Sequence, residues 1–428
     1  MSLHDAYTRT SAPRWTLFCE VNVELNRRQF IEVAAAAVPL MPLDTQGPQN
    51  DTEDPDNPLG VRRDFPVVRE GLYLNSAYIA PVPVPVADAG RLFNERKTSK
   101  PIPLDEMLQK TGEVRRQFAK LVGAEAEEIG FLFATSEGEN IVASALDLKP
   151  GDNVVVDELH YNTTFVLYRH LEETRRIALR IVKHRDGRVT VDDVARAVDD
   201  RTRLLSVAWV SHQNGFRHDM RPLADVAHAH GALFYADAVQ ALGMFPADVR
   251  AAGVDCMTSG TYKWLLGGFG VAPFFIRREL LEKVRVDRLG ALHVEKELGD
   301  HRYEIYRTAR KFEYATLPFA EIYQLGAALA YLERVGVGRI ERHTVALARE
   351  LREGLAGLGF RLFTPPDNHS SIVSVRLDKN QTRAREVLDG EHVQVSFREN
   401  GSLIRVSPAL FNTRDEIRRF LDAAKRFA

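Results

Sequence analysis

Cysteine is scarce in this chain. Cys19 and Cys256 are its only two in 428 residues, too few for a disulfide framework, and no C-x-x-C pair offers a zinc site. An excess of either charge is also missing: 57 Lys+Arg nearly balance 59 Asp+Glu, for a net charge of −2. Such a balance leaves no electrostatic footprint for a polyanion, so a dedicated nucleic-acid binder is excluded. No apolar run reaches the roughly 18–20 residues of a membrane span. Gly and Pro, at 28 and 20 residues, are too few for a disordered or fibrous chain. What remains is an ordinary globular composition, 45% hydrophobic and 27% charged. At about 150 residues per domain the length suits two or three domains with ample core. These proportions are those of a large soluble enzyme.

Residues 1–60 read differently from the rest. Asn26-Arg27-Arg28-Gln29-Phe30-Ile31 precedes a weakly apolar run from Val33 to Leu43, then a stretch rich in Asp, Asn and Pro up to Gly60. Paired arginines before such a run resemble a twin-arginine export signal. Against that, Glu32 stands where such signals avoid acid, and no small-x-small cleavage site follows. A loose N-terminal arm is the alternative, with 44–60 a linker either way. The expected location is cytoplasmic, or exported in the folded state if the signal is genuine.

From Asp105 onward helical and strand patterns alternate. Helical spacing at 105–123 ends on Gly123. Short apolar runs follow at 129–133, 154–156, 178–182, 204–210 and 233–235, with helix-like segments such as 139–148, 190–198 and 222–230 between them. Strands of this length alternating with helices predict βαβ units and a mostly parallel buried sheet. Right-handed crossovers then set the strand C-termini along one ligand-binding edge. After about Phe319 two long helical patterns (320–336, 339–358) lead into shorter strands at 361–363, 371–376, 393–397 and 403–407 and a last helix at 414–427. The expected division is a large domain over 105–319 and a smaller α+β domain over 320–428, with 61–104 a lead-in segment packing on both.

Four features carry chemistry. The strand Phe234–Asp237 ends in a carboxylate, with Gln240 three residues on; an aspartate there is more often a turn former. Lys263 lies among hydroxyls, aromatics and glycines in the run Thr258–Gly270, unlike an ordinary solvated lysine. Thr135 and Ser136 join a strand to a helix, which makes either an N-cap or an anion site. Arg405 sits inside an apolar strand, where a guanidinium needs an anionic partner, structural or substrate.

In their order along the chain these features resemble the class V aminotransferase family of fold-type I pyridoxal phosphate enzymes, which includes isopenicillin N epimerases, cysteine desulfurases, kynureninases and C–S lyases. The resemblance runs from Leu72 to the C-terminus. It implies a seven-stranded, mostly parallel sheet flanked by helices, with a smaller C-terminal α+β domain. It also implies that Lys263 carries pyridoxal 5'-phosphate as a Schiff base and moves the substrate α-proton. Asp237 then faces the pyridine nitrogen and Gln240 the ring hydroxyl. Thr135, Ser136 and Tyr262 hold the phosphate, Ser259 or Thr261 adds a hydroxyl, and Arg405 takes the substrate carboxylate. An aromatic side chain covers the cofactor face; His160 is the first choice and Tyr161 the second. Arg310–Thr316 resembles a family motif whose threonine reaches the phosphate of a neighbouring subunit, so Thr316 implies a homodimer with shared sites, although Ala315 replaces the motif's glycine. Asn75, in the run Tyr73–Tyr78, is placed on the substrate pocket.

Other candidates fall away. His228 and His230 are two apart on a helix, so they make a poor metal pair. The glycines at 267, 268 and 270 lack the setting of a dinucleotide loop, and Cys256 reads as a small core residue. Residues 320–428 contain no cysteine, which argues against sulfur transfer through an enzyme persulfide. The expected activity is at the amino group or α-carbon of an amino-acid-like substrate, as an aminotransferase or an isopenicillin-N-epimerase-like enzyme. A β-lyase is the alternative, and a non-catalytic cofactor-binding regulator the reading of another class.

Overall fold

The computed structural model describes residues 57–428, so the arginine pair and the arm before it lie outside the described residues. A seven-stranded sheet organises the fold: β1 Ile129–Leu132, β2 Asn153–Asp157, β3 Ala178–Val182, β4 Thr202–Ala208, β5 Leu233–Asp237, β6 Cys256–Thr258 and β7 Ala272–Ile276. In space the order is β1-β7-β6-β5-β4-β2-β3. Every pairing is parallel except those of β7, which runs antiparallel to both β1 and β6. The expected mostly parallel, helix-flanked sheet is therefore present.

Such strands read as unbroken apolar runs because both faces are covered. Alternate side chains enter different cores: Val155, Leu205, Phe234 and Phe275 join one apolar cluster, while Val154, Val156, Leu204 and Phe274 join the other. Two sheet strands escaped the sequence pattern. Strand β6 has only three residues, and β7 carries Pro273 near its start, which counts against an interior strand. Neighbouring strands nevertheless supply pairing on both sides of each.

Helices surround the sheet. The longer ones include α1 Val84–Ser99, α2 Leu104–Val122, α3 Thr135–Ala145, α4 Asn162–Arg175, α5 Met220–Ala229, α6 Phe319–Val335, α7 Val337–Gly357 and α8 Arg414–Ala424. Helix α2 ends on Gly123 with φ 70°, a left-handed cap that glycine adopts without strain. Helix α8 begins with a capping box, in which Thr413 and Glu416 satisfy each other's backbone N–H. After α7 a four-stranded antiparallel sheet forms from β8 Arg361–Leu362, β9 Val373–Arg376, β10 Ser396–Arg398 and β11 Leu403–Val406, in the order β8-β9-β11-β10. Its core of Leu347, Leu351, Val373, Ile404, Ile417 and Phe420 is separate from the two large-sheet clusters.

The lead-in segment ties these bodies together. Leu72 and Tyr73 pair in parallel with Val393 and Gln394, and Asn75 bridges to Ser407. Ala77 accepts a bond from Gln240 Nε2 at 2.9 Å, while its N–H donates to Ser407 Oγ at 2.9 Å. One short segment thus links the loop after β5 to the end of β11.

Candidate active site

The C-terminal ends of β1, β2, β4, β5 and β6 share one edge of the sheet, and the loops leaving them wall a cavity of about 320 Å³. Each wall residue has a local reason for its place. Asp237 is the last residue of β5, paired with Ala208 and Thr258 on either side. Its Oδ1 accepts the Val239 N–H at 2.9 Å, which orients the carboxylate over the strand end.

The start of α3 is pulled close to the same edge. Glu137 Oε2 accepts the Phe133 N–H at 2.9 Å, and Gly138 lies so near β6 that an added Cβ would come 2.0 Å from Thr258 Oγ1. Ala134 caps α3 without a side-chain bond, and the Glu137 N–H closes on the Ala134 carbonyl at 3.1 Å; the N–H groups and hydroxyls of Thr135 and Ser136, both on the cavity wall, remain for an anion.

The Lys263 loop has no regular structure but is well tied. Thr261 Oγ1 donates to the Gly268 carbonyl at 2.6 Å, Gly267 N–H to Thr261 O at 2.9 Å, and Trp264 Nε1 to Gln240 Oε1 at 2.7 Å. Lys263 is only 8% exposed. Among the described residues its ammonium meets no hydrogen-bond acceptor; its recorded contact is the Tyr262 ring, 5.6 Å from the centroid. Burial and then Arg405 push its pKa down to about 7, against the pull of Asp237, with Arg398 adding to the fall. A buried amine near neutrality is half free base at pH 7, the form that attacks a carbonyl or takes a proton.

Arg405 lies on β11 and is 1% exposed. Its Nη1 donates to the His212 carbonyl at 2.5 Å and its Nη2 to Ser396 Oγ at 3.1 Å, while Nε is buried without a partner. No carboxylate pairs with it among the described residues, so the structural partner that would explain a buried guanidinium is missing. Burial and Arg398 lower its pKa to about 9, which leaves it charged at neutral pH.

The remaining sequence candidates divide by place. Thr135, Ser136, Asp237, Gln240, Tyr262 and Lys263 all line the cavity. Gln240 has one amide hydrogen committed to Ala77, which leaves the second for a ligand. Ser259 is fully buried, its hydroxyl bonded to the Ala238 and Gly260 carbonyls. Asn75 sits beside the site, accepting the Ser396 hydroxyl at 2.6 Å, and through Ser396 it touches Arg405. Thr316 is exposed and away from the cavity wall.

His160 lies behind the wall at 0% exposure. The Tyr161 N–H donates to its Nδ1 at 2.7 Å, which fixes the proton on Nε2, and Nε2 then donates to Ser206 Oγ at 3.2 Å. Ser206 in turn donates to Glu139 Oε1, and Thr164 to Glu139 Oε2, each at 2.7 Å. The ring that meets the cavity here is Tyr161, edge-on to His212 with centroids 5.0 Å apart.

Sequence reasoning passed over Glu139 and His212, both on the wall. Glu139 had a signal: it is a carboxylate one helical turn beyond Thr135, followed by the buried Ile141, Val142 and Ala143. His212 had none, because only the fold brings residue 212 to Lys263 and Arg405.

The residues present fit pyridoxal phosphate: a low-pKa amine, a carboxylate at a strand end, hydroxyls and free N–H groups at a helix start, and an unpaired guanidinium beyond. Comparison with known proteins points the same way. The family model described as Aminotransferase class-V matches residues 72–420. A probable cysteine desulfurase of Methanothermobacter thermautotrophicus is 30% identical over 381 residues, covering 83% of this chain and 94% of that protein. An uncharacterized aminotransferase of Bacillus subtilis, YcbU, is 28% identical over 367 residues, covering 85% and 96%. Among solved structures, the cystine C–S lyase C-DES superposes with a TM-score of 0.79 at 18% identity, covering 85% of this chain and all of that one.

Proposed function

The chain belongs to the class V aminotransferase family, and from that premise we propose that it is a β-lyase that breaks a carbon–sulfur bond in a cysteine-like amino acid. Its cofactor is pyridoxal phosphate. When bound, that group supplies an aldehyde for the amine of lysine or substrate, and a ring that accepts the electron pair left at the substrate α-carbon. The observation that carries the lyase reading is an α-proton base with no thiol beside it. Lys263 is poised near neutrality, and no cysteine lines the cavity among the described residues.

Lys263 would hold the cofactor and, as a free amine, would take the substrate α-proton. Asp237 would keep a proton on the pyridine nitrogen, and Thr135, Ser136 and the α3 N-terminus would hold the phosphate. Arg405 receives the substrate carboxylate on its unpartnered edge, which fixes the α-carbon near Lys263. The Tyr161 and Tyr262 rings line the same cavity.

Similarity to a probable cysteine desulfurase supports bond breaking at the β-carbon over transamination or epimerisation. Persulfide transfer, however, needs a reachable cysteine. Cys256, the one cysteine among the described residues, lies in the sheet at 1% exposure with its thiol pushed well above the ordinary value by burial; the proposed sulfur product is therefore released rather than passed to an enzyme thiol. The balanced outcome for cysteine is cysteine plus water giving pyruvate, ammonia and hydrogen sulfide.

The test incubates holoenzyme with cysteine, cystine and S-alkyl cysteines, and assays pyruvate and released thiol without any keto acid. Pyruvate is expected in equal amount to the sulfur species released: sulfide from cysteine, cysteine persulfide from cystine and the alkanethiol from an S-alkyl cysteine. Turnover that requires a keto-acid acceptor, or α-proton exchange with inversion and no pyruvate, overturns the reading.

A further inference from the structure

The lyase reading leaves one chemical need unmet. A thiolate leaving the β-carbon needs a proton, and Lys263 is then engaged with the α-proton. Of the carboxylate, amine and imidazole groups on the cavity wall, that account leaves Glu139 and His212 unused, and Glu139 is already engaged by the Ser206 and Thr164 hydroxyls. His212, in the loop after β4, is 4% exposed. Neither ring nitrogen has a hydrogen-bond partner among the described residues, and Nδ1 is sealed from solvent. A buried, unbonded imidazole costs stability unless something else engages it.

Its surroundings explain its resting state. From β10 comes Arg398, from β11 Arg405, from the loop after β6 Lys263, and from the loop before α4 His160 and the Tyr161 ring. Asp237 and Glu139 stand elsewhere on the same cavity wall. Burial first, then these cations, keep the ring neutral, well below the ordinary histidine value. The strongest geometric link is to Arg405, whose Nη1 bonds the carbonyl of His212 itself at 2.5 Å. A carboxylate docking on that guanidinium offsets part of the positive field that Arg398, Arg405 and Lys263 set on the ring, and so raises the imidazole's affinity for a proton as the substrate arrives.

We propose that His212 is the proton donor to the group that leaves the substrate's β-carbon, charged for that role by a proton it takes up when the substrate carboxylate seats against Arg405. The step balances. Lys263 takes the α-proton, the Cα–H pair becomes the Cα–Cβ double bond, the Cβ–S bond breaks, and sulfur keeps that pair and receives the His212 proton. The 2-aminoacrylate so formed is hydrolysed by water to pyruvate and ammonia. This inference rests on the lyase reading for its chemistry; the proton uptake does not.

The experiment has two arms, both with wild-type and His212→Gln holoenzyme. In the first, 3-(methylthio)propionate, which has the carboxylate and sulfur but no amine, is titrated calorimetrically in buffers of different ionisation enthalpy at pH 7. Wild type should take up protons on binding, and His212→Gln close to none. In the second, S-methylcysteine is compared with S-(nitrophenyl)cysteine, whose thiolate leaves without help. His212→Gln should slow the alkyl substrate by about 10²–10⁴-fold and the aryl one by less than about tenfold.

Equal proton uptake in the two proteins overturns the proposal, as does an equal loss on both substrates, even if wild type makes pyruvate. Absence of pyruvate from wild type, with proton uptake still confined to wild type, overturns the donor role through failure of the lyase reading itself. The variant's retained ligand affinity and cofactor absorbance separate all of these from misfolding.

Discussion

Lys263 should weaken the very fold that presents it. Its amine has an ordinary pKa of 10.5 and is held at about 7 in the folded chain. Below pH 7 both folded and unfolded chains bind the proton, so the cost of burying the charge is present in full. Between pH 7 and 10.5 only the unfolded chain binds it, and stability rises with pH. Above 10.5 the contribution has gone. Three and a half units correspond to roughly 5 kcal/mol, an upper figure because water reaches part of an open cavity; about 2–4 kcal/mol is the working expectation. Lys263→Met replaces the amine with an apolar chain of similar length. The apoprotein of this variant should therefore be more stable than wild type by that amount at pH 7, and nearly equal to it at pH 10.5. Urea unfolding of both apoproteins across pH 6–10.5 gives the comparison. Parallel curves, or a wild type that loses stability relative to the variant as pH rises, would refute the reasoning.

Arg405→Leu should weaken binding of carboxylate ligands by about 2–4 kcal/mol; a Kd for 3-(methylthio)propionate within twofold of wild type would place the anchor elsewhere, with Arg398 next to be tried. Gly138→Ala must move α3 away from Thr258, at about 1–3 kcal/mol, and should lower pyridoxal phosphate affinity as the helix start shifts; an unchanged Kd for the cofactor would separate that packing from the phosphate site. The buried pair in which Arg115 bonds Glu313 at 2.6 and 3.0 Å offers a purely structural control. Glu313→Leu should cost about 3–5 kcal/mol by stranding Arg115, and adding Arg115→Met should recover most of it, as measured by urea midpoints.

Much of the framework could be read from the residues because parallel strands are short apolar runs that stop where helices begin. The strand at 178–182 has the bounds expected from its pattern, and Asp237 stands at a strand end. The antiparallel β7 was hidden because its place depends on β1 and β6, more than a hundred residues away in one case. The same physics governs the site. Lys263 and Asp237 were visible through their immediate neighbours, hydroxyls and glycines around one and an apolar strand before the other. His212 and Glu139 acquire meaning only from tertiary contact. Nor can spacing decide between His160 and Tyr161, since a loop has no period to say which side chain turns inward; bonds to the Tyr161 backbone N–H and the Ser206 hydroxyl place the imidazole behind the wall.

Borohydride reduction of the holoenzyme, followed by peptide mass spectrometry, tests most directly the claim that this cavity is a pyridoxal phosphate site built on Lys263. Reduction fixes the cofactor to whichever amine holds it. The account predicts a phosphopyridoxyl mass on the peptide carrying Lys263, and loss of that label in Lys263→Met. Label on another lysine, or an equal label in the variant, would contradict it.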